Sequence, residues 1–215
     1  DLAKSLDPSF TAIDRPIPTH VNGSDESCNA FFIPGGTGLL SFFHSNPCVN
    51  SAYSTVVYHE YAHYLVWKAF GTVSPMPGYN EGVADAYSAL LSDQPHIGDA
   101  FNGIQGAAPI RDLSAPPLRY PDDLLLEPHR SGLIIGGAFW DLRQSAGLTV
   151  AAQVSHFAKY GRPDDLDDGV AMNEYFVETL VADEDHGNIN NGTPHFNQIL
   201  AAFNAHGIGT GLFMH

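Results

Sequence analysis

The spacing of hydrophobic positions in this chain changes near residue 50. Before it, short apolar runs at 30–33 and 39–43 stand among stretches rich in Pro, Gly, Ser and Asn. They predict two short strands joined by the turn Pro34-Gly35-Gly36. After it, the spacing is helical. Residues 51–70 contain no Gly or Pro, carry apolar Val56, Val57, Leu65 and Val66, and end at Gly71, a residue suited to the position just past a helix. A second helix is expected over about 80–93. A third, 131–146, is apolar and holds Gly136-Gly137, which permits close packing. Residues 149–160 and about 167–182 are amphipathic. The last helix takes Thr193 as its N-cap and Pro194 as its first residue, carries Phe196, Ile199, Leu200 and Phe203, and stops at Gly207. Residues 94–128 read mostly as loop, placed to line a cleft. There is no internal repeat and no low-complexity segment. Short strands followed by helices predict an α+β fold.

The second pattern is chemical. Residues 59–63 read His59-Glu60-Tyr61-Ala62-His63, inside the first long helix. Positions i and i+4 share one helical face, one turn apart. Both imidazoles can therefore reach one tetrahedral Zn²⁺ at ~2.0–2.1 Å. A chain with 11 His among 215 residues would show His-Glu-x-x-His by chance roughly 0.02 times. Glu60 is rotated off the ligand direction, where it can hold a water without binding the metal. Asn80-Glu81-Gly82-Val83-Ala84-Asp85 follows on the next helix. Glu81 is the natural third ligand, and the fourth position stays open for water, as in catalytic sites. Asp85, one turn beyond Glu81, can accept the other ring N–H of a ligand histidine and fix its tautomer.

His-Glu-x-x-His followed by Asn-Glu-x-x-x-Asp resembles the gluzincin metallopeptidases of the thermolysin and fungalysin type. Other segments extend the resemblance in the same order. Asn29-Ala30-Phe31-Phe32 resembles the edge strand that aligns substrate. Arg111-Asp112-Leu113-Ser114-Ala115-Pro116, with Tyr120-Pro121-Asp122 behind it, resembles the stretch carrying the active-site Arg. His129-Arg130-Ser131-Gly132-Leu133-Ile134-Ile135 resembles the catalytic His before a buried helix. The similarity runs from about residue 28 to about residue 143. It implies a zincin-like, two-lobed single catalytic domain over 1–215. Residues 1–70 form a small β-containing lobe with the His-Glu-x-x-His helix, and 71–215 form a mainly helical lobe, with the active-site cleft between them.

The chain departs from that pattern in several places. The gap from His63 to Glu81 is short, and no Tyr stands clearly where the family has its second oxyanion donor; Tyr64 and Tyr79 are the substitutes to consider. Thr55 and Ser92 occupy positions where the family has calcium-binding carboxylates, so that calcium pair is expected to be missing. Only 58 residues precede the first ligand, so the N-terminal lobe is reduced. The Gly-x-Met-Glu-Asn segment of aminopeptidase relatives is absent, which favours an endopeptidase.

The resemblance implies a mechanism. Zinc on His59, His63 and Glu81 would polarise the scissile carbonyl and activate water, with Glu60 as the general base. His129 would stabilise the negative oxygen. Arg111 would hold a substrate carbonyl. The peptide would bind as an added strand, with Asn29 and Ala30 meeting its backbone. Val56 and Ile110 match positions of the apolar pocket just after the cleaved bond, so cutting is expected before bulky apolar residues. The competing expectation is a zinc-binding pseudoenzyme, or an adhesion or binding module on the same fold. A peptidase of narrow, processing specificity is a further variant.

Charge and cysteines narrow the partners. A net charge of −15 with only 9 Lys plus Arg argues against nucleic acid, which demands basic patches. No apolar run reaches the length of a membrane span. The expected partners are protein or peptide substrates, and the chain's own pro-segment if it is cut from a larger precursor. Cys28 and Cys48 are the two cysteines and bracket the proposed substrate strand. An even pair in a secreted enzyme points to one disulfide; two buried thiols are the alternative. Asp183-Glu184-Asp185-His186-Gly187-Asn188-Ile189-Asn190-Asn191-Gly192 reads equally as a calcium loop, with Asp183, Asp185, Asn188 and Asn190 as oxygen donors, or as a solvated connection between helices. Asp164, Asp165, Asp167 and Asp168 read as a solvated helix start.

Overall fold

The structure is a computed structural model that describes residues 2–26, 28–44, 48–71, 74–99, 101 and 108–210. In chain order the elements are α1 (Leu2–Leu6), β1 (Thr19–Gly23), β2 (Ala30–Ile33), β3 (Leu39–Phe43), α2 (Ser54–Phe70), α3 (Pro77–Ser92), β4 (His96–Ile97), β5 (Arg111–Asp112), α4 (Pro128–Ala146), α5 (Leu148–Ala158), α6 (Asp168–Ala182) and α7 (Phe196–Ala205). The chain is α+β, as its pattern of strands followed by helices predicts.

The two expected strands form with the expected bounds. β2 and β3 pair antiparallel, Ala30 opposite Phe42 and Ile33 opposite Leu39. Their turn needs glycine, because Gly35, Gly36 and Gly38 all have positive φ, a region that side chains with a Cβ rarely enter. β1 was not legible in the sequence. It pairs parallel with β3, giving the order β1-β3-β2. Four of its five residues are exposed, so the alternation that marks a strand is missing. In this order β2 is an edge strand. Its outer edge is unpaired within the sheet and runs beside α2.

The helices build the main core. Val83 of α3, Ile134, Ile135 and Phe139 of α4, Tyr175 and Phe176 of α6 and Phe203 of α7 are fully buried in one cluster, which α2 joins through Val66 and Phe70. Each such side chain contributes roughly 1.5–3 kcal/mol of burial. The closest helix pair is α3 and α4. A Cβ on Gly82 would lie 2.6 Å from the Gly132 carbonyl oxygen, and one on Gly132 would lie 2.7 Å from the Gly82 nitrogen. That approach carries Glu81 up to the start of α4. The Gly136-Gly137 pair also allows close packing, against Leu113 and His206 respectively.

α2 begins at Ser54 rather than 51, after an extended Tyr53, and three other helix starts differ from the sequence expectation, each for a capping reason. α3 begins at Pro77, because the Gly78 and Tyr79 N–H groups donate to Asp168 at 3.1 and 2.9 Å. Asp168 is thus turned inward to hold α3, while Asp167 caps α6 by accepting from Gly169 and Val170. α4 begins at Pro128, capped by Glu127. α7 begins at Phe196, not at Pro194, because the Thr193 hydroxyl is engaged elsewhere, donating to Asp183 at 2.7 Å. Residues 94–128 are not all loop: β4 and β5 pair within them, with Ile97 opposite Arg111. Residues 102–107 of that stretch lie outside the described residues. Among the described residues, no helix is long and apolar enough to cross a membrane.

Candidate metal centre

α2 presents His59 and His63 on one face, as their spacing requires. Their Nε2 atoms lie 3.1 Å apart. Glu81 reaches across from α3 and places Oε2 at 3.1 Å from His59 Nε2 and 3.6 Å from His63 Nε2. These three are brought together as a group able to hold a metal ion. Glu81 Oε2 is buried, yet neither ring is aligned to give it a hydrogen bond. A buried carboxylate oxygen without a donor is costly, unless a cation sits between the three atoms. Two nitrogens and one carboxylate oxygen form a donor set typical of catalytic zinc. The residues therefore fit the ion that the sequence implies.

The electrostatics agree. Burial on its own would lower the His59 pKa, but Asp85, and then Glu81, outweigh it and raise the pKa to about 10. Burial would raise the Glu81 carboxyl, but His59 and His63 hold it well below the ordinary carboxylate range. The field at this point favours positive charge strongly. A proton on a ring and a divalent cation between the ligands satisfy the same demand.

Around the ligands the structure places the remaining site residues as follows. Asp85 is completely buried and sits 2.7 Å from His59 Nδ1. Its other partner is Arg111, whose Nε and Nη2 donate to its carboxylate at 2.6 and 2.8 Å. Arg111 is thereby half committed to Asp85, a link the sequence did not reveal. The short β4–β5 ladder is what brings Arg111 there. Glu60 is buried, accepts no hydrogen bond from the described residues, and lines two cavities that meet at the ligands.

His129 lies in the first turn of α4 rather than in a loop before it. Its Nε2 is 3.4 Å from Glu81 Oε2, and its ring stacks toward His59. Its Nδ1 lies 2.6 Å from Glu127 Oε1. Glu127 was missed as a site residue. It caps α4 through the His129 and Arg130 N–H groups and fixes the His129 ring with the same carboxylate. The signal was local: a carboxylate just before Pro128, in the place of an N-cap.

The first cavity, about 790 Å³, extends from the ligands past Phe32 and Trp67. The second, about 470 Å³, extends the other way and is lined by Val56, Ile110, Arg111 and Leu133 among others. Asn29 and Ala30 line both. The Asn29 side chain accepts the Ala30 N–H at 2.9 Å, and the Asn29 main-chain carbonyl accepts from the Ser51 hydroxyl at 2.8 Å. Cys28 and Cys48 form a disulfide, which anchors the residue before Asn29.

Neither tyrosine considered as a second oxyanion donor reaches the site. Tyr79 is fully buried between Phe70 and Tyr175. Tyr64 packs against Phe32 and Trp67, with its hydroxyl directed to the Ala12 carbonyl. Thr55 and Ser92, which the resemblance sets where calcium carboxylates were expected to be missing, hydrogen bond to the Gly98 N–H and the Ser88 carbonyl. In the loop read as a calcium site, Asp183 accepts from the Thr193 hydroxyl and the His195 N–H and lies 2.7 Å from His195 Nδ1. Asn188 accepts the Asn190 N–H. Among His and carboxylate side chains, Glu184, Asp185 and His186 lie within ligand reach of one another there, and Asp185 is one of the four expected oxygen donors.

No model of a known protein family matches the chain, and no curated protein matches it in sequence.

Proposed function

We propose that the chain is a zinc-dependent endopeptidase with a two-lobed, zincin-like fold of the gluzincin type. In this reading residues 1–70 and 71–215 supply the two sides of the cleft. The observation that carries the proposal is the convergence of His59, His63 and Glu81 beside a buried Glu60 that opens on both cavities. A structural zinc site closes its fourth position with another side chain; this one leaves it facing a cleft.

Bound there, zinc supplies Lewis acidity toward a carbonyl and toward water. Glu60 takes the water proton and passes it to the leaving amine nitrogen. His129, steadied by Glu127, in its charged form donates from Nε2 to the carbonyl oxygen as negative charge develops. Arg111 uses the donors not spent on Asp85 to hold a substrate carbonyl. The unpaired edge of β2 accepts the peptide as an added strand. The pocket of Val56 and Ile110 receives the residue after the cleaved bond, so bulky apolar residues are preferred there. The disulfide supports secretion to an oxidising compartment. A precursor whose pro-segment is removed, and calcium bound at the 183–190 loop, belong to the same proposal.

Tyr64 and Tyr79 are buried away from the site, so neither joins His129 as a side-chain donor for the oxyanion. That favours one second reading, a zinc-binding module without catalysis. Metal analysis combined with quenched-peptide hydrolysis, with and without 1,10-phenanthroline and with Glu60→Gln, separates the two. The peptidase gives one zinc per chain and hydrolysis that both treatments abolish. One zinc with no hydrolysis of any peptide rejects it in favour of the binding module.

A further inference from the structure

The larger cavity has a chemical character of its own. Residues 59, 63, 67 and 71 stand four apart along α2, and all four line it. The face that carries the ligand histidines therefore continues directly into Trp67. With 1.5 Å of rise per residue, Trp67 sits about 6 Å beyond His63 along the helix. An extended peptide advances ~3.3 Å per residue, so Trp67 stands about two peptide residues beyond His63.

Trp67 is held firmly. Its ring centroid is 5.7 Å from that of Phe32 and 6.2 Å from that of Tyr64. The Lys68 ammonium lies 4.0 Å from the ring centroid, a cation–π contact that fixes the indole further. Phe31, Phe32, Pro34 and Pro75 complete the apolar wall, and among the described residues Glu60 and Glu81 are the carboxylates lining the cavity. A charged substrate side chain lodged between Trp67 and Phe32 would lose water against apolar ring faces, which an apolar side chain does not.

We infer that Trp67 and Phe32 select an aromatic or large aliphatic side chain at the second residue before the cleaved bond. The inference rests on the peptidase reading, which puts the residue after the bond in the opposite cavity. It makes the enzyme selective on both sides of the cut.

The test uses the zinc-loaded chain and quenched peptides that differ only at that second residue: Phe, Leu, Ala, Asp or Lys, with the cut mapped by mass spectrometry. Phe and Leu are expected to exceed Ala in kcat/KM by about tenfold or more, with Asp and Lys below Ala. In Trp67→Ala the Phe-to-Ala ratio should collapse toward one, and in Trp67→Phe most of it should survive. Binding gives a readout independent of turnover. The chain has two tryptophans, so Glu60→Gln combined with Trp140→Phe leaves Trp67 as the sole indole. Its fluorescence should change with the Phe peptide at lower concentration than with the Asp peptide. Equal rates across the series, or a ratio unchanged in Trp67→Ala, overturns the inference while leaving the peptidase standing. If Trp67→Ala does not fold, the wild-type series and the fluorescence titration still decide. No cleavage and no binding of any peptide removes the peptidase reading, and the inference with it.

Discussion

Asp85 Oδ1 lies 2.7 Å from His59 Nδ1, so one buried carboxylate fixes which nitrogen His59 turns toward His63 and Glu81. With Nδ1 committed to Asp85, Nε2 faces His63 and Glu81. The carboxylate is held in turn by Arg111 from the other side. Two residues, Asp85 from α3 and Arg111 from β5, thus set the direction of His59 on α2.

Removing Asp85 should act on metal and fold together. Asp85→Ala frees the His59 ring and leaves the largely buried Arg111 guanidinium without the carboxylate it is bonded to. Zinc affinity should fall roughly 10–100-fold, as for other losses behind a ligand histidine. Stability should fall by about 3–5 kcal/mol, the usual cost of stranding a buried charge. Zinc competition with a chromophoric chelator and urea unfolding measure the two effects. Unchanged zinc affinity in a folded Asp85→Ala protein would show that Asp85 does not orient His59.

Glu127 offers a cleaner separation of rate from metal binding. Glu127→Gln keeps an oxygen for the α4 cap but loses the charge beside His129 Nδ1. Zinc content should stay at one per chain, and stability should drop by no more than about 1 kcal/mol. The loss should appear in kcat, about tenfold or more, because a looser imidazole stabilises the oxyanion less well. A change in KM alone, with kcat intact, would assign Glu127 to substrate binding instead.

How much of this site the sequence revealed follows from the range of each interaction. His59, His63, Glu81 and Asp85 were legible because helical periodicity fixes their faces over one turn. β2 and β3 were legible from continuous apolar runs around a glycine turn. The Arg111–Asp85 clamp was not, since residues 26 positions apart meet only once β4 and β5 pair. Asp168 was misread for a related reason. Its position suits a solvated helix start, but its carboxylate caps α3 from 89 and 90 residues away. Thr193 was misread because its hydroxyl had two uses, capping α7 or bonding Asp183, and tertiary geometry chose the second. β1 carried no usable pattern, being an exposed edge.

The disulfide should matter more for substrate than for zinc. It closes a loop of 20 residues that contains β2 and β3 and starts at Cys28, one residue before Asn29. Chain-entropy arithmetic for a loop of that size gives about 3 kcal/mol of stability. Replacing Cys28 and Cys48 together by Ser should lower the melting temperature and weaken peptide binding at the β2 edge. Zinc affinity should hold, because all three ligands lie on α2 and α3. Loss of zinc in step with loss of peptide binding, in a protein still folded, would contradict that division.

A last prediction concerns a group remote from the metal. Lys159 is buried, and its ammonium donates to the Ser155 carbonyl at 2.9 Å. Burial lowers its pKa to about 7 from an unfolded value of 10.5. Next to it His156 is lowered to about 4, chiefly by burial and then by Lys159, against the opposing pull of Asp7. Between about pH 7 and 10.5 the unfolded chain carries the Lys159 proton and the folded chain does not, so this residue makes stability rise with pH across that window. Below about pH 7 both states are protonated and the penalty is complete. His156 adds a second loss on acidification, between 6.5 and about 4. Lys159→Met removes the charge and keeps the length, and the Ser155 carbonyl retains the Tyr175 hydroxyl as donor. The variant should therefore be more stable than wild type at pH 7, by about 1–3 kcal/mol. That advantage should shrink steadily as pH rises to 9.5. Urea unfolding of both proteins at pH 7, 8 and 9.5 reads the difference directly. An advantage that stays constant with pH would mean that Lys159 does not enter the fold as a strained cation.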